Sequence, residues 1–249
     1  MTVRAPDLDS ADDRAAAGGA EKRDYVQQIF SDIAPRYDLL NHLLSLNIDK
    51  RWRKKALEAL RWTRAPKGRY VDLCAGTLDV GAELGAREGF GGFIIGADFA
   101  EPMLRAGSGK AARTILAPVV ADALQLPLPP DSSDGAIVAF GIRNVADLDA
   151  CLSEVLRVLT AGSRFVILEF TTPKIGVVRA GYHLYFHHVL PFIGGIISGN
   201  RSAYRYLPKS VANFPDEASL ARRMEAAGFH DVGWKTLSLG IAAIHWGEK

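Results

Sequence analysis

The stretch VDLCAGTLDVG, residues 71–81, joins a short apolar strand to a turn of small residues and the start of a helix. In open parallel sheets, ligands bind at the carboxyl ends of the strands, where such turns lie. Ala75 and Gly76 would let a ligand approach the backbone, and the following helix would offer free amides. Because the stretch is not GxGxxG, a tight turn that holds no ligand is an equally good interpretation of this pattern alone.

Strand and helix patterns alternate on both sides of this turn. Short apolar runs typical of buried strands are separated by segments of helical periodicity, which predicts an α/β fold with a doubly wound parallel sheet. The predicted strands are 70–74, 93–98, 116–121, 135–140, 164–170, 229–234 and 238–246. The predicted helices among them are 79–88, 102–113, 147–159 and 216–227.

The remaining segments divide the chain into a tail, a cap and an insert. Residues 1–20 are rich in Ala, Asp and Gly, so we expect a disordered tail. We expect 21–249 to be one domain, of which 21–65 form a helical cap without strands. Residues 172–213 break the alternation with prolines, glycines, histidines and aromatic residues, and an insert of this length in a compact domain is usually functional.

The sequence pattern of the cap predicts three helices, and the third carries the most basic residues. The first follows Glu21, the second covers 37–46, and Asp49 would cap the third. Trp52 and Ala56 share the apolar face of that third helix with Leu60. Its other faces carry a cluster of cations that would meet either solvent or anionic lipid: Lys50, Arg51, Arg53, Lys54 and Lys55.

Composition excludes several classes of function. The chain has 249 residues, 48% hydrophobic and 23% charged, with a net charge of +2, which is too small to indicate nucleic-acid binding. Cys74 and Cys151 are far apart and belong to no paired cysteine or histidine motif, so we expect neither a disulfide framework nor a metal site. With no signal-like start and no long apolar run, the predicted location is the cytoplasm.

Acidic residues follow three successive predicted strands. Asp98 lies 22 residues after Gly76, where a carboxylate would accept hydrogen bonds from the hydroxyl groups of an adenosine ribose. Asp72 and Asp79 flank the turn, and Asp122 follows the third strand, where it would accept from an adenine amino group. These charges would repel a pyrophosphate but favour a cationic donor such as S-adenosylmethionine. A dinucleotide-dependent oxidoreductase is the alternative, and the missing GxGxxG disfavours it.

Two distant segments and a third late one resemble a known family. YDLLNHLLSLNIDKRW at 37–52, and AFGIRNVADLDACLSEVLRVL at 139–159 with LEF at 168–170, are similar to signatures of the ubiquinone/menaquinone biosynthesis C-methyltransferases. Residues 188–216 match the late segment of that family in length and character. The resemblance covers about 21–247. It implies a class I, Rossmann-like methyltransferase with a seven-stranded, mostly parallel sheet that uses S-adenosylmethionine.

The resemblance also implies cofactor contacts. Thr77, Asp98, Asp122 and Ala123 match positions that contact the cofactor in the family, and we add the neighbouring residues Asp72, Ala75, Gly76, Phe99 and Met103. The sequence departs from the family pattern at two places near this site. Leu78 stands where the family usually has glycine, so the turn is expected to differ locally. Ala139 stands where a serine is frequent, which removes a hydroxyl contact.

The implied reaction is methylation of a carbon atom on a polyprenylated quinol ring. Arg143, just after the fourth strand, is the predicted stabiliser of the oxyanion, because arginine stays protonated and acts electrostatically. A plain salt bridge from Arg143 to a nearby acid such as Asp147 is the alternative. Asn144 would position a water molecule or the methionine part of the cofactor. We expect only the reduced ring to react, since an oxidised quinone is a poor nucleophile.

The substrate side is predicted from the cap and the insert. Tyr37 and Asn41 in the cap would close over the quinol, and His183, His187 and Tyr204 in the insert would contact it, although each of these side chains also has a structural interpretation. Apolar residues at 181–200 would line a channel for the prenyl tail or form a buried helix. The predicted partners are the polyprenyl quinol, the inner face of the membrane as a peripheral contact, and a second copy of the chain.

The choice of substrate stays open at this point. Demethylmenaquinol is favoured, and a benzoquinol of the ubiquinone pathway, another small acceptor, or a catalytically silent quinone-binding scaffold are the alternatives. No single residue of the sequence distinguishes a naphthoquinol from a benzoquinol ring.

Overall fold

Seven strands form one sheet that organises the chain. In the computed structural model, which describes residues 20–34, 37, 45, 47–185 and 201–249, the strand order is β3-β2-β1-β4-β5-β7-β6. All neighbours pair in parallel except at β7, which runs antiparallel to β5 and β6. The strands are β1 Arg69–Leu73, β2 Phe93–Asp98, β3 Leu116–Val120, β4 Ser133–Ala139, β5 Leu159–Phe170, β6 His230–Leu237 and β7 Ala242–Glu248. The predicted seven-stranded, mostly parallel sheet is therefore confirmed.

Helices cover both faces of the sheet. They are α1 Ala20–Ile33, α2 Ile48–Ala59, α3 Asp79–Gly85, α4 Glu101–Ala106, α5 Leu148–Val158, α6 Gly176–Leu184, α7 Arg201–Ala212 and α8 Glu217–Ala227. Successive strand residues point to opposite faces, so Tyr70 packs with α2 and α3 whereas Val71 packs with α5 and α8. Both layers are apolar, which explains why the central strands are continuous apolar runs rather than alternating ones.

Several element boundaries differ from the prediction. The helix predicted over 102–113 ends at Ala106, because Gly107 lies so close to the Thr77 carbonyl that a Cβ there would be 2.2 Å from its oxygen. The strand predicted from Ser238 begins instead at Ala242, after a short 3₁₀ turn. The prediction that Asp49 caps α2 is wrong: the cap is Asn47, in the left-handed conformation, and Asp49 lies buried in the first turn.

The cap and the insert meet above the carboxyl ends of the strands. Helix α7 packs on α1, where Tyr206 joins a cluster with Val26, Ile29 and Ile33. In α6, Tyr182 packs against Val211 of α7. The predicted tail and the predicted helix over 37–46 lie outside the described residues, apart from single positions. Within the part of the chain that the structure describes, no helix is long and apolar enough to cross a bilayer.

Candidate active site

Two adjoining cavities lie at the carboxyl ends of the parallel strands. The larger has a volume of about 480 Å³ and the smaller a volume of about 60 Å³. They flank the boundary between β1 and β4, where the order of the strands reverses and ligands of such sheets bind. The two cavities share six wall residues: Phe30, Tyr37, Cys74, Gly76, Ala139 and Phe140.

Every predicted site residue whose side chain the structure describes lines one of these cavities. The larger cavity is lined by Tyr37, Asp72, Ala75, Gly76, Thr77 and Arg143. The smaller is lined by Tyr37, Gly76, Asp98, Phe99, Met103, Asp122, Ala123 and Asn144. Asn41 and His187 lie outside the described residues, as do the side chains of His183 and Tyr204.

The turn after β1 is held in a backbone conformation that glycine prefers. Cys74, Gly76 and Leu78 all have positive φ, at 50°, 52° and 66°. Leu78 therefore holds a left-handed conformation that residues other than glycine rarely adopt, at the cost of local strain. That the turn differs from the family's stays a prediction. Its side chain is buried and packs over Gly96, where a Cβ would come within 2.4 Å of Leu78 Cδ2. We infer that this packing offsets part of the strain.

Two buried carboxylates hold the turn in place. Asp72 Oδ2 accepts a hydrogen bond from the Gly81 amide at 2.8 Å. Asp98 accepts from the amides of Gly76 and Ala100, one on each oxygen and both at 2.8 Å. Burial raises the pKa of Asp72 to about 7, and the nearby charge of Asp98 adds to the rise. Burial also raises the pKa of Asp98. Each carboxylate oxygen has a second lone pair, so Asp98 retains acceptors for a ligand.

Helix α1 closes the smaller cavity. Arg23 Nη1 lies 3.2 Å from Asp122 Oδ2, and Gln27 Nε2 donates to the Phe99 carbonyl at 3.2 Å. The side chain of Arg23 is 55% exposed, so this ion pair is weak and easily replaced. An incoming amino group would therefore compete with Arg23 for Asp122, and α1 would have to shift to admit a nucleoside.

Arg143 lies in a 3₁₀ turn after β4 and is buried beside Glu169. Its Nη1 donates to Glu169 Oε1 at 2.7 Å and to the Phe140 carbonyl, and its Cζ lies 5.6 Å from the centre of the Phe170 ring. Burial raises the pKa of Glu169, and the Arg143 charge opposes that rise. The alternative of a salt bridge to a nearby acid is confirmed, but the partner is Glu169 and not Asp147, which caps α5 by accepting from the Ala150 amide.

Several buried polar atoms in these walls lack a hydrogen-bond partner among the described residues. They include Arg143 Nε and Asn144 Oδ1, whose residues are each 8% exposed. Buried polar atoms are almost always paired, so an unpaired donor and an unpaired acceptor facing the same pair of cavities indicate a ligand with oxygen and nitrogen atoms. Together with Asp98 and Asp122, they fit a cationic adenosine compound bound beside a hydroxylated one.

A chain of charges that the sequence interpretation missed forms the polar end of the larger cavity. Arg53 pairs with Asp49 one helical turn away and with Asp79 Oδ2 at 2.6 Å, and Lys110 reaches the other oxygen of Asp79 at 2.5 Å. Burial alone would raise the pKa of Asp79, but Lys110 and Arg53 hold it below its usual value. Arg53 is thus buried, which corrects the prediction that all five cations of α2 face solvent or lipid.

Comparison with known proteins adds independent findings. Residues 19–249 match the model of the ubiE/COQ5 methyltransferase family. The chain is 49% identical over 223 residues to a demethylmenaquinone methyltransferase of Thermus thermophilus, covering 89% of this chain and 100% of the relative. It is 43% identical over 233 residues to a ubiquinone/menaquinone biosynthesis C-methyltransferase UbiE of Geobacter sulfurreducens, covering 92% and 90%.

Solved structures share the fold at low sequence identity. One is an S-adenosylmethionine-dependent methyltransferase of Thermotoga maritima, described as a possible histamine N-methyltransferase, with a TM-score of 0.57 and 18% identity. The match covers 88% of this chain and 99% of that one. At this identity the likeness concerns the fold alone.

Proposed function

Because the chain belongs to the ubiE/COQ5 methyltransferase family, we propose that it converts demethylmenaquinol to menaquinol. It is an S-adenosylmethionine-dependent C-methyltransferase whose substrate is a polyprenyl quinol of menaquinone or ubiquinone biosynthesis. The observation that carries the proposal is the pair of adjoining cavities, one acidic and one largely apolar, that meet at Cys74, Gly76 and Phe140.

The acidic cavity supports binding of the methyl donor. Asp98 would accept from the ribose hydroxyls, Asp122 from the adenine amino group, and Asn144 Oδ1 from a donor on the same ligand. Thr77 in the turn and Asp72 in β1 before it line the adjoining larger cavity, where we place the methionine part. S-adenosylmethionine supplies, when bound, a methyl group made electrophilic by a sulfonium centre. The task of these residues is to hold that group at the junction of the two cavities.

Aromatic side chains give the larger cavity walls suited to a flat ring. The Trp52 and Phe140 ring centroids are 6.1 Å apart, and those of Phe140 and Phe170 are 4.6 Å apart. A bicyclic ring has more surface to pack against such walls than a single ring has, which favours the naphthoquinol. A benzoquinol remains the second candidate, since a relative of nearly equal similarity has a name that includes ubiquinone.

Arg143 would act on the oxygen of the quinol. A quinol hydroxyl donates more electron density to its ring once it loses its proton, and a buried guanidinium beside that oxygen stabilises the anion. Because Glu169 fixes one face of the guanidinium, the unpartnered Nε is available to the substrate. Exclusion of water by α1, α6 and α7 strengthens this interaction.

We expect methyl transfer only to a reduced ring. Incubation with S-adenosylmethionine labelled in the methyl group should label reduced demethylmenaquinone, label a reduced demethylated benzoquinone more slowly, and leave the oxidised forms unlabelled. The reason is that only the reduced ring is electron-rich at carbon. Equal rates with oxidised and reduced rings would contradict the mechanism, and calorimetry should detect binding of S-adenosylhomocysteine but not of NAD.

We also propose that helix α6 contacts the surface of a membrane. Helix α6 separates the larger cavity from the surface: Val178 and Tyr182 line the cavity, whereas Val177 is 85% exposed and Leu184 is 62% exposed. Ile175, just before the helix, is 53% exposed. These apolar side chains would enter a bilayer and bring the cavity next to the prenyl tails dissolved in it. A homodimer stays a prediction of the sequence.

Glutamate at both exposed positions of α6 should weaken membrane binding. In sedimentation with vesicles of phosphatidylethanolamine and phosphatidylglycerol, the double variant Val177→Glu and Leu184→Glu should pellet less than the unchanged protein, because it would place two charges in an apolar layer. The exposed Arg222→Glu on α8 changes the net charge by the same amount and serves as the control. Equal loss of binding in both would indicate that charge alone matters, and no loss in either would contradict the proposed surface.

A further inference from the structure

Tyr206 is a buried tyrosine whose hydroxyl has no evident structural use. It lies in α7 with 3% of its surface exposed, and its ring packs on α1 and makes an edge contact with Tyr25 at 6.0 Å between centroids. Its Oη is fully buried and has no hydrogen-bond partner among the described residues. A phenylalanine would pack equally well at this position, so packing alone does not explain the hydroxyl.

The Tyr206 side chain and Arg143 line the same cavity. This is the larger, mostly apolar cavity, and the unpartnered Nε of Arg143 is the second buried donor in its wall. The two side chains are close enough to interact electrostatically: burial raises the pKa of Tyr206 to about 12, and the Arg143 charge opposes part of that rise. The Tyr206 hydroxyl therefore stays protonated at neutral pH and can donate a hydrogen bond.

We propose that the Tyr206 hydroxyl and Arg143 Nε donate to one and the same oxygen of the quinol ring. Two buried donors without partners, on side chains that line one largely apolar cavity, are suited to a ring oxygen, and more so to that oxygen after it loses its proton. Tyr206 remains protonated throughout and forms no bond other than this hydrogen bond. The inference rests on the proposed function and adds a substrate-binding group that lies two residues beyond the predicted Tyr204.

The variant Tyr206→Phe should separate a binding role from a packing role. We expect kcat/KM for the reduced quinol to fall roughly 10- to 100-fold, since one donor to a developing anion is lost. The KM for S-adenosylmethionine should be unchanged. The acid limb of the pH profile of kcat, which reports the pKa of groups in the enzyme–substrate complex, should move to higher pH, by about one unit for each tenfold loss of anion stabilisation. The melting temperature should stay constant or rise, because an unpaired buried hydroxyl is removed.

Tyr70→Phe is the matched control. The Tyr70 hydroxyl is satisfied by the carbonyls of Trp62 and Ala65, at 3.1 and 2.9 Å, and it lies at the amino end of β1, away from the cavities. Its loss should lower the melting temperature and leave the kinetics unchanged.

Three outcomes would overturn the inference, and a separate one concerns the proposed function. Unchanged kcat/KM in Tyr206→Phe, a loss of activity without a shift of the acid limb, or a loss accompanied by a fall in melting temperature like that of Tyr70→Phe would each leave Tyr206 a packing residue. Absence of methyl transfer by the unchanged protein to any reduced quinol would instead refute the proposed function.

Discussion

Replacing Arg143 with alanine is expected to lower kcat for the reduced quinol by about 100- to 1000-fold, which is typical of the loss of a preorganised group beside a developing oxyanion. The buried guanidinium is held by Glu169 Oε1 and the Phe140 carbonyl and stacks over Phe170, so its position is fixed before the substrate binds. The KM for S-adenosylmethionine should change little, because Arg143 lines the larger cavity and not the smaller one.

The same substitution also breaks a buried ion pair, and this second effect has to be separated from the first. Removing one partner leaves Glu169 buried and unpaired at a cost of about 3–5 kcal/mol. The double variant Arg143→Ala with Glu169→Gln should recover much of the stability and none of the activity. Arg143→Lys keeps the charge but not the planar group with several donors, so its kcat should lie between those of the unchanged protein and the alanine variant.

A second ion pair of low exposure provides the control. Arg164 Nη2 lies 2.5 Å from Glu248 Oε1, between β5 and β7, and neither residue lines one of the two cavities. Arg164→Ala should lower the free energy of unfolding by less than Arg143→Ala does, because Glu248 keeps Arg61 and Arg64 as partners. It should leave kcat unchanged at temperatures where the protein is folded. If Arg143→Ala retains kcat, or if Arg164→Ala loses kcat equally, the assignment of Arg143 to the oxyanion is wrong.

The sheet could be predicted because its signals are local. Continuous apolar runs such as 165–168 are buried on both faces, and acidic residues at the carboxyl ends of β1 and β2 come to one edge in any parallel sheet. The family signatures then supplied the number of strands, whereas the strand order β3-β2-β1-β4-β5-β7-β6 was not predicted. The predicted ends of helices and strands were less accurate. The helix after β2, for example, ends just before Gly107, and the close approach of Gly107 to Thr77 depends on tertiary packing.

Charged partners could not be predicted with the same success. Arg143 and Glu169 are 26 residues apart and meet only because β4 and β5 are neighbours. Asp147 was the nearer acid in sequence, but it is used to cap α5. Arg53 is one of five cations on α2, and helical periodicity does not tell which of them is buried. The i,i+4 spacing of Asp49 and Arg53 was the available signal.

Tertiary packing also determines the surroundings of two residues that the sequence could not place, Tyr206 and Leu78. Only the direction in which α7 packs on α1 brings Tyr206 to the cavity, and composition does not reveal that direction. The leucine at position 78 was expected to alter the turn locally, because the family usually has glycine there. Leu78 has a left-handed backbone conformation, and its side chain packs over Gly96 of β2. This contact, which offsets part of the strain, depends on the position of β2 in the sheet.

Replacing Asp98 with asparagine is expected to raise the KM for S-adenosylmethionine roughly 10- to 100-fold. A hydrogen bond to a charged group contributes about 1.5–3 kcal/mol, and the ribose would lose at least one such bond. The KM for the quinol and the kcat at saturating donor should change much less, because Asp98 lines the smaller cavity only. The dissociation constant of S-adenosylhomocysteine, measured by calorimetry, should rise with the KM of the donor.

Asp98 also holds the turn, so the asparagine variant will be less stable as well as weaker in binding. An amide oxygen can replace one of the two carboxylate oxygens that accept from Gly76 and Ala100, whereas its NH₂ group cannot accept. The exposed Asp131, which pairs with Lys249 and lines neither cavity, gives an Asp131→Asn control that should leave both KM values unchanged. A lower melting temperature for Asp98→Asn with an unaltered donor KM would mean that Asp98 only shapes the turn, and the acidic cavity would then need another group to hold the ribose.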